Sequence, residues 1–274
     1  MRVCIRVFGI VQGVGFRPTV KRHADACDIA GSVSNKGPYV EIFAEGSEEC
    51  VHSFIKQIQE EPPKRAVILK LDVENVESGE DGIHKVESET DSKEKFQIIE
   101  SEKEEGEIFV SPDIAICPEC KKELYDKNDR RYLHPFINCT CCGPRLTILD
   151  SMPYDRVRTS MGEFPMCEKC EYEYTHAETR RFDAQPVCCN DCGPEVYLLG
   201  RKERGADAIR YTRKVLSEGG IVAVKGIGGF HLCCDAAKEE TVARLRQRKK
   251  RPMKPFAVMM KDLDVVRREC ETEP

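Results

Sequence analysis

The chain of 274 residues contains no long uninterrupted run of apolar residues. Its first residues also lack the apolar core and small-residue cleavage site of a secretory signal. We therefore expect no membrane-spanning segment and a cytoplasmic location. Basic residues are not in surplus, because 43 Lys and Arg stand against 48 Asp and Glu. Non-specific nucleic-acid binding needs such a surplus to displace counterions, so this class of function is not favoured.

The sequence does contain enough apolar residues to form several packed cores. Hydrophobic residues make up 40% of the chain and charged residues 33%, a balance typical of folded proteins and not of disordered ones. The length exceeds that of one ordinary domain. We predict an α+β multidomain chain with domains at residues 1–101, 102–200 and 201–274.

Residues 1–101 alternate between the period of strands and the period of helices. Val3, Ile5 and Val7 mark a half-buried strand, and Ser47 is placed to cap a helix whose inner face carries Val51 and Phe54. The predicted order, strand-helix-strand-strand-helix-strand, is that of the ferredoxin-like split unit. The acidic segments 78–95 and 100–107 are interpreted as a loop and a linker. The other predicted elements are a helix over 17–30 and strands over 31–35, 39–44, 66–76 and 96–99.

From Cys117 to Leu199 the sequence repeats itself at an offset of fifty residues. Gly143-Pro144 returns as Gly193-Pro194, and Arg130-Arg131-Tyr132 returns as Arg180-Arg181-Phe182. This self-similarity predicts two copies of one structural unit, each too small to bury much core alone.

Eight cysteines of the repeat form two sets with the spacing C-x2-C, eighteen residues, C-x2-C. Two such knuckles suit tetrahedral zinc, and four protein ligands leave no open position, so both ions are predicted to be structural. Disulfides are disfavoured without a secretion signal, and an iron-sulfur cluster stays a minor alternative. Cys141 and Cys188 break the repeat and are interpreted as free thiols. The predicted ligands are Cys117, Cys120, Cys139 and Cys142 for one ion and Cys167, Cys170, Cys189 and Cys192 for the other.

Residues from about 205 onward have the pattern of an α/β unit. Helices are predicted over 206–217 and 241–248, and strands over 221–224, 230–234 and 256–260, with a GIGG turn after the first of these strands. The few strands indicate an incomplete unit.

The segment VQGVGFRP joins the first predicted strand to the first predicted helix. Its glycines let successive N–H groups turn inward, and the helix N-terminus adds positive potential, so the loop can cradle an anion. Arg17 at the end of the loop can hold a phosphate through two N–H groups, and Asn35 follows downstream. The predicted cradle consists of Gln12, Gly13, Val14, Gly15 and Phe16.

V-Q-G-V-G-F-R followed by G-S-V-S-N closely resembles the motif of the acylphosphatase family. The resemblance implies that Arg17 binds an acyl phosphate and that Asn35 orients the attacking water, with no covalent intermediate. Such a site lowers the barrier through positioning and electrostatic stabilisation of the transferring phosphoryl group.

The order of this motif, the duplicated cysteine unit and the segment KGIGGFHLCCDA resembles the HypF family of hydrogenase-maturation carbamoyltransferases, over nearly the whole chain. The resemblance implies that the first domain hydrolyses carbamoyl phosphate and that a YrdC-like domain joins the resulting carbamate to ATP as carbamoyl adenylate. A further domain then passes the carbamoyl group to a C-terminal cysteine of a hydrogenase-maturation partner protein. In the YrdC-like part it implies nucleotide binding by Lys249, Arg251 and Lys254.

The chain departs from this family in two respects. It ends inside the YrdC-like unit, so we expect complete transfer to need further domains, which a separate chain could supply. Asp183 stands where the family usually has histidine, so the resemblance does not extend to an imidazole at this position.

A second class of function is a zinc-dependent binding module without catalysis, in which the paired zinc units and the basic stretch 244–254 contact RNA or a protein surface. The acidic net charge and the intact phosphate loop count against this alternative.

The spacing of the cysteines predicts that zinc supplies most of the folding free energy of residues 117–192, because no preformed site exists in an unfolded chain. Purified protein should carry two metal equivalents by elemental analysis, and chelation should unfold this region by circular dichroism. A folded region after complete chelation would contradict the prediction.

Overall fold

The computed structural model describes residues 1–76, 95–102, 104, 106, 109–226 and 228–271. The predicted loop 78–95 lies almost entirely outside the described residues, as do parts of the predicted linker 100–107 and of the GIGG turn. The chain divides into two compact units, Met1–Glu195 and Val196–Pro274. None of the described helices combines the length and the apolar composition that crossing a membrane requires.

The first unit begins with a five-stranded sheet that carries two helices. The strands lie in the order β4-β1-β3-β2-β5, and neighbours are antiparallel except for the parallel pair β2 and β5. This topology confirms the predicted ferredoxin-like arrangement. The strands are β1 Arg2–Ile10, β2 Ala30–Asn35, β3 Tyr39–Glu45, β4 Val67–Asn75 and β5 Phe96–Ile98, and the helices are α1 Phe16–Ala26 and α2 Glu48–Glu60.

The core of this part forms where the helices cover one face of the sheet. Val3, Ile5 and Val7 are fully buried, as their alternation predicts, and the Phe54 ring of α2 meets the Phe96 ring of β5 at 6.1 Å between centroids. Ser47 caps α2 by accepting a hydrogen bond from the Cys50 N–H, which confirms the predicted helix start.

Helix α1 ends at Ala26, four residues before the end that the sequence predicts. Asp28 adopts a left-handed conformation with φ of 54°, and this turn carries Ile29 into the core, where the side chain is fully buried. The sequence also predicts that Gly31 stops this helix, and that prediction is wrong, because the helix ends before the turn at Asp28. Gly31 lies in β2 with φ of 145°, against the carbonyl of Phe43 on β3.

Residues 111–195 contain the duplicated unit, in which each copy has one short helix that begins within its first knuckle. These helices are α3 Pro118–Tyr125 and α4 Glu168–Thr175, and 3-10 turns at Leu146–Ile148, Arg156–Arg158 and Ser160–Glu163 lie between the copies. The duplication extends to an unusual backbone position. Leu133 and Asp183, fifty residues apart, are both left-handed, with φ of 52° and 55°.

The second unit is a small α/β arrangement built around one hairpin, in which β6 pairs antiparallel with β7. The predicted strand over 256–260 is wrong, since these residues form neither strand nor helix. A strand needs a neighbour to satisfy its backbone groups, and β6 and β7 are the only strands described in this unit. A last helix, which the sequence pattern did not predict, comes after these residues. The elements are α5 Gly205–Ser217, β6 Val222–Lys225, β7 Phe230–Cys233, α6 Glu239–Lys249 and α7 Leu263–Glu269.

The position of Gly31 makes a testable prediction about the sheet. A Cβ atom there would lie 1.9 Å from the carbonyl oxygen of Phe43, in a backbone conformation that side chains rarely adopt. We expect Gly31→Ala to lower the free energy of unfolding of this part by about 2 kcal/mol or more, measured by urea denaturation. Ser32→Ala, one position further along β2, is the control. Equal stability of the two variants would contradict this account.

Candidate functional site

The phosphate loop occupies the turn between β1 and α1. Gly13 and Gly15 have left-handed φ values of 70° and 80°, which explains why the loop needs glycine at both positions. Gly15 is the N-cap of α1, and no side chain caps this helix end. The first N–H groups of α1 are therefore not taken by a capping side chain, as an anion-binding helix end requires.

The other cradle residues fix the position of the loop through hydrogen bonds and burial. Gln12 donates from Nε2 to the Gly37 carbonyl at 2.8 Å, and its Oε1 accepts from the Tyr154 N–H at 3.2 Å. Val14 and Phe16 are buried in the core of the first domain. These two residues anchor the loop, and Phe16 also lines the small cavity beside it.

Asn35, the last residue of β2, is 1% exposed, and its Oδ1 is buried with no hydrogen-bond partner among the described residues. A buried amide oxygen without a partner costs free energy unless a water or ligand donates to it. Asn35 and Arg17 line the same small cavity, together with the loop glycines. The two predicted catalytic side chains thus face one site.

Arg17 is held by carboxylates that come from the cysteine-rich repeat. Its Nη1 donates to Asp155 Oδ1 at 2.9 Å and to Ser101 Oγ at 3.1 Å. Its Nε lies 3.1 Å from Asp183 Oδ2, and its Nη2 donates to Asp183 Oδ1 at 3.3 Å. Burial alone would lower the pKa of Arg17, but Asp183 and Asp155 raise it above its ordinary value.

Asp183 is almost as deeply buried as the arginine it contacts, with 12% of its side chain exposed against 8% for Arg17. Burial raises the pKa of this carboxyl, and the Arg17 charge opposes the shift. Its Oδ1 also accepts from Gln185 Nε2 at 2.8 Å. The carboxylate therefore accepts hydrogen bonds from Arg17 and from Gln185.

The repeat also covers the phosphate loop directly. Arg145 donates from Nε to the Gly13 carbonyl, and from Nη2 to the Thr140 carbonyl at 2.8 Å. A Cβ at Gly15 would lie 2.8 Å from Thr140 Cγ2. The loop glycines thus allow close approach of the repeat as well as a sharp turn.

The cavity enclosed by these residues has a volume of about 20 Å³, room for about one water molecule. A wider groove of about 640 Å³ lies on the other side of Arg17, between α1 and the repeat. Arg17, Asp183 and Gln185 line both spaces. The Arg17–Asp183 pair therefore stands between the cradle and the groove.

The eight predicted cysteine ligands form two compact clusters. Within each cluster the four Sγ atoms lie within 4.8 Å of one another. The Sγ–Sγ distance is 3.8 Å for Cys117–Cys139, and it is 3.8 Å for Cys189–Cys192. Four sulfurs at 2.3 Å from a tetrahedral zinc ion would be separated by about 3.8 Å, so both clusters have the dimensions that zinc requires.

Each copy of the repeat supplies arginines to the cluster of the other copy. Arg130 donates to Cys170 Sγ at 3.3 Å from Nη1 and 3.2 Å from Nη2, and Arg131 pairs with Glu173. In the opposite direction, Arg180 donates to Cys120 Sγ at 3.5 Å, and Arg181 pairs with Glu123. Four thiolates on one zinc ion carry a net charge of −2, which these guanidinium groups offset.

The exchange between the copies includes the backbone. Arg131 Nε donates to the Cys188 carbonyl at 2.8 Å, and Arg181 Nε donates to the Asn138 carbonyl at 2.9 Å. Positions 138 and 188 correspond in the repeat, so the two copies bind each other through equivalent contacts. This arrangement explains how two small units stabilise one module.

The two cysteines that break the repeat lie outside the clusters. Cys141 is exposed, whereas Cys188 is buried, with its Sγ 3.3 Å from His134 Nε2. Burial lowers the pKa of His134 to about 4, so the imidazole is neutral near pH 7. Neither thiol joins a metal cluster in the described residues.

The three residues predicted to bind nucleotide lie at the end of α6 in the second unit. Lys249 is the last residue of α6, and Arg251 and Lys254 follow in a loop fixed by Arg246, which donates to the carbonyls of Arg251 and Lys254. Their role stays a prediction.

Several residues of the site were not identified from the sequence. They include Asp155 and Ser101 on Arg17, Arg145 and Thr140 on the loop, Gln185 on Asp183, and Tyr154 beside Gln12. Arg145 did carry a signal, because it follows Gly143-Pro144 where the second copy has Glu195 after Gly193-Pro194.

The crossed arginines predict that each copy helps to retain the ion of the other. We expect Arg131→Ala to weaken zinc binding by about tenfold at the cluster of Cys170, because Glu173 and the thiolates lose a buried positive charge. At chelator concentrations that remove no zinc from the native protein, the variant should lose one of its two zinc ions to a colorimetric chelator. Arg65→Ala, at an exposed position, is the control. Unchanged retention would show that the arginine does not support the site.

Three family models match the chain. The acylphosphatase model covers residues 3–97, the HypF finger model covers 116–149 and 166–199, and the telomere recombination model (Sua5, YciO and YrdC) covers 214–274. The acylphosphatase of Caldivirga maquilingensis is 45% identical over 83 residues, which are 30% of this chain and 86% of that protein.

Longer relatives match almost the whole chain. The probable carbamoyltransferase HypF of Methanocaldococcus jannaschii is 52% identical over 266 residues, which are 95% of this chain and 33% of that protein. The crystal structure of full-length HypF in the phosphate- and nucleotide-bound form matches with a TM-score of 0.86 at 46% identity, over 100% of this chain and 34% of that one. HypF of T. kodakarensis matches with a TM-score of 0.84 at 42% identity, over 100% of this chain and 34% of that one.

The matches confirm both resemblances inferred from the sequence. This chain spans about one third of the length of the HypF relatives. With an amino-terminal domain of the acylphosphatase family and a duplicated HypF finger, the chain belongs to the HypF family.

Proposed function

We propose that the first unit hydrolyses an acyl phosphate, and that carbamoyl phosphate is its substrate. The observation that carries the proposal is that Arg17 and Asn35, whose Oδ1 has no hydrogen-bond partner among the described residues, line one cavity at the glycine cradle. A guanidinium and main-chain N–H groups suit the phosphoryl oxygens, and an amide oxygen without a partner suits a water that must be oriented.

The proposed reaction is a direct displacement at phosphorus. The water donates one hydrogen bond to Asn35 Oδ1, and its oxygen forms the new bond to phosphorus. The bond between phosphorus and the acyl oxygen breaks, and carbamate leaves with the electron pair. One proton of the water passes to a phosphoryl oxygen, so the products are carbamate and dihydrogen phosphate. Arg17 and the N–H groups of the loop stabilise the charge on the phosphoryl oxygens, so positioning and electrostatics lower the barrier.

The two finger clusters hold zinc as structural ions in this proposal. The residues that would bind them are Cys117, Cys120, Cys139 and Cys142 in one cluster and Cys167, Cys170, Cys189 and Cys192 in the other. Four thiolates per ion leave no position for substrate, so the ions act through the fold. Arg145, which follows the second knuckle of the first cluster, contacts the Gly13 carbonyl. Zinc binding thereby supports the shape of the phosphate loop.

Later steps of carbamoyl transfer belong to the complete protein. We infer from the family that carbamate is joined to ATP as carbamoyl adenylate in a YrdC-like domain, with Lys249, Arg251 and Lys254 as nucleotide-binding residues. The acceptor is then a cysteine of a hydrogenase-maturation partner. The match of residues 214–274 to the Sua5, YciO and YrdC model supports the first of these steps.

Arg17→Ala and Asn35→Ala should each reduce hydrolysis of carbamoyl phosphate by about 100-fold or more, because each removes a group that acts on the transferring phosphoryl group or the water. Phosphate release by the zinc-loaded protein without ATP measures this step alone. Arg22→Ala, an exposed arginine on the same helix, should retain activity. Zinc content and circular dichroism verify the fold. Unchanged turnover in both site variants would refute the proposal.

A further inference from the structure

The side chain of Arg17 is engaged along the edge that phosphate recognition uses. A guanidinium binds a phosphate or carboxylate best through two parallel N–H groups. Asp183 takes the edge formed by Nε and Nη2, and Asp155 and Ser101 take Nη1. A phosphoryl group in the cradle therefore competes with a carboxylate of the same chain for the same donors.

The duplication indicates that the Asp183 carboxylate is not required by the fold of the finger. Leu133 occupies the equivalent position of the first copy, with the same left-handed backbone. The N–H of Leu133 donates to the Leu124 carbonyl, and the N–H of Asp183 donates to the equivalent Tyr174 carbonyl. The turn thus forms with an apolar side chain or a charged one, so the negative charge needs another explanation.

Asp155 differs from Asp183 in how its charge is balanced. Its second oxygen accepts from Arg158 at 3.0 Å, so it is shared between two arginines. Among the described residues, the other side-chain donor to the Asp183 carboxylate is the neutral amide of Gln185. Release of Arg17 by Asp183 would leave a buried carboxylate without a cation, which makes the Arg17–Asp183 pair costly to open.

We propose that Asp183 is an internal competitor for the phosphate site: it occupies the bidentate edge of Arg17, and an acyl phosphate enters the cradle only when this ion pair opens. The contact is autoinhibitory and sets the affinity of the site for phosphoryl groups. Because the pair separates the cradle from the groove beside α1, its opening would also join these two spaces. This inference rests on the proposed function of Arg17 as the phosphate-binding residue.

The test is the affinity of the zinc-loaded, full chain for inorganic phosphate, measured by calorimetry. Asp183→Asn removes the charge and keeps the size, and asparagine tolerates the left-handed backbone at this position. We expect phosphate to bind about tenfold more tightly or better, since a tenfold change is about 1.4 kcal/mol and buried ion pairs exceed this. The gain should vanish in the double variant Asp183→Asn, Arg17→Ala.

Asp155→Asn is the matched control, because it removes one negative charge beside the same guanidinium. If it tightens phosphate binding as much as Asp183→Asn does, the effect is general electrostatics and the proposal is wrong. Unchanged or weaker binding in Asp183→Asn would also overturn it, since a merely structural role of the carboxylate predicts a loss. Tighter binding to Asp183→Asn without hydrolysis by any variant would retain this inference and reject the proposed hydrolysis.

Discussion

The ion pairs and hydrogen bonds of the arginines that cross between the two finger copies are the interaction on which the finger module, and through it the outer wall of the cradle, depends. Neither copy has enough apolar residue for a core of its own, and the small clusters around Cys120 and Cys170 consist largely of the cysteines themselves. Arg131 and Arg181 are buried between the copies, where thiolates, glutamates and backbone carbonyls surround them. The same arginines therefore balance the charge of the thiolates and hold the two copies of the module together.

That module in turn completes the proposed phosphate site. The loop between β1 and α1 contributes glycines and N–H groups, but Arg145, Thr140, Asp155 and Asp183 form its outer wall. The hydrolysis proposed for the acylphosphatase domain would thus take place among groups that the finger region contributes. The electrostatic environment of Arg17 is set jointly, because the guanidinium belongs to α1 and both of its carboxylate partners belong to the finger region.

The sequence predicted those parts of the site whose chemistry is local. The two sets of knuckles required only the spacing of their cysteines, and the loop required only its glycines and the arginine that follows. Ser47 was identifiable as a cap because capping acts over three residues. The end of α1 was missed because burial of Ile29 outweighs the helical pattern that continues to Ala30. Asp155 could not be assigned to Arg17, since 138 residues separate them in the chain and no local pattern records a contact of that range.

The close packing of Thr140 and Arg145 against Gly13 and Gly15 has a consequence for how this protein changes over evolutionary time. A larger residue in the loop would collide with the finger, and a bulkier residue on the finger would collide with the loop. The two regions are under mutual steric constraint, and recombination that exchanges one of them for a distant homologue would break the fit. Their sequences should therefore be inherited together, as a single unit of selection.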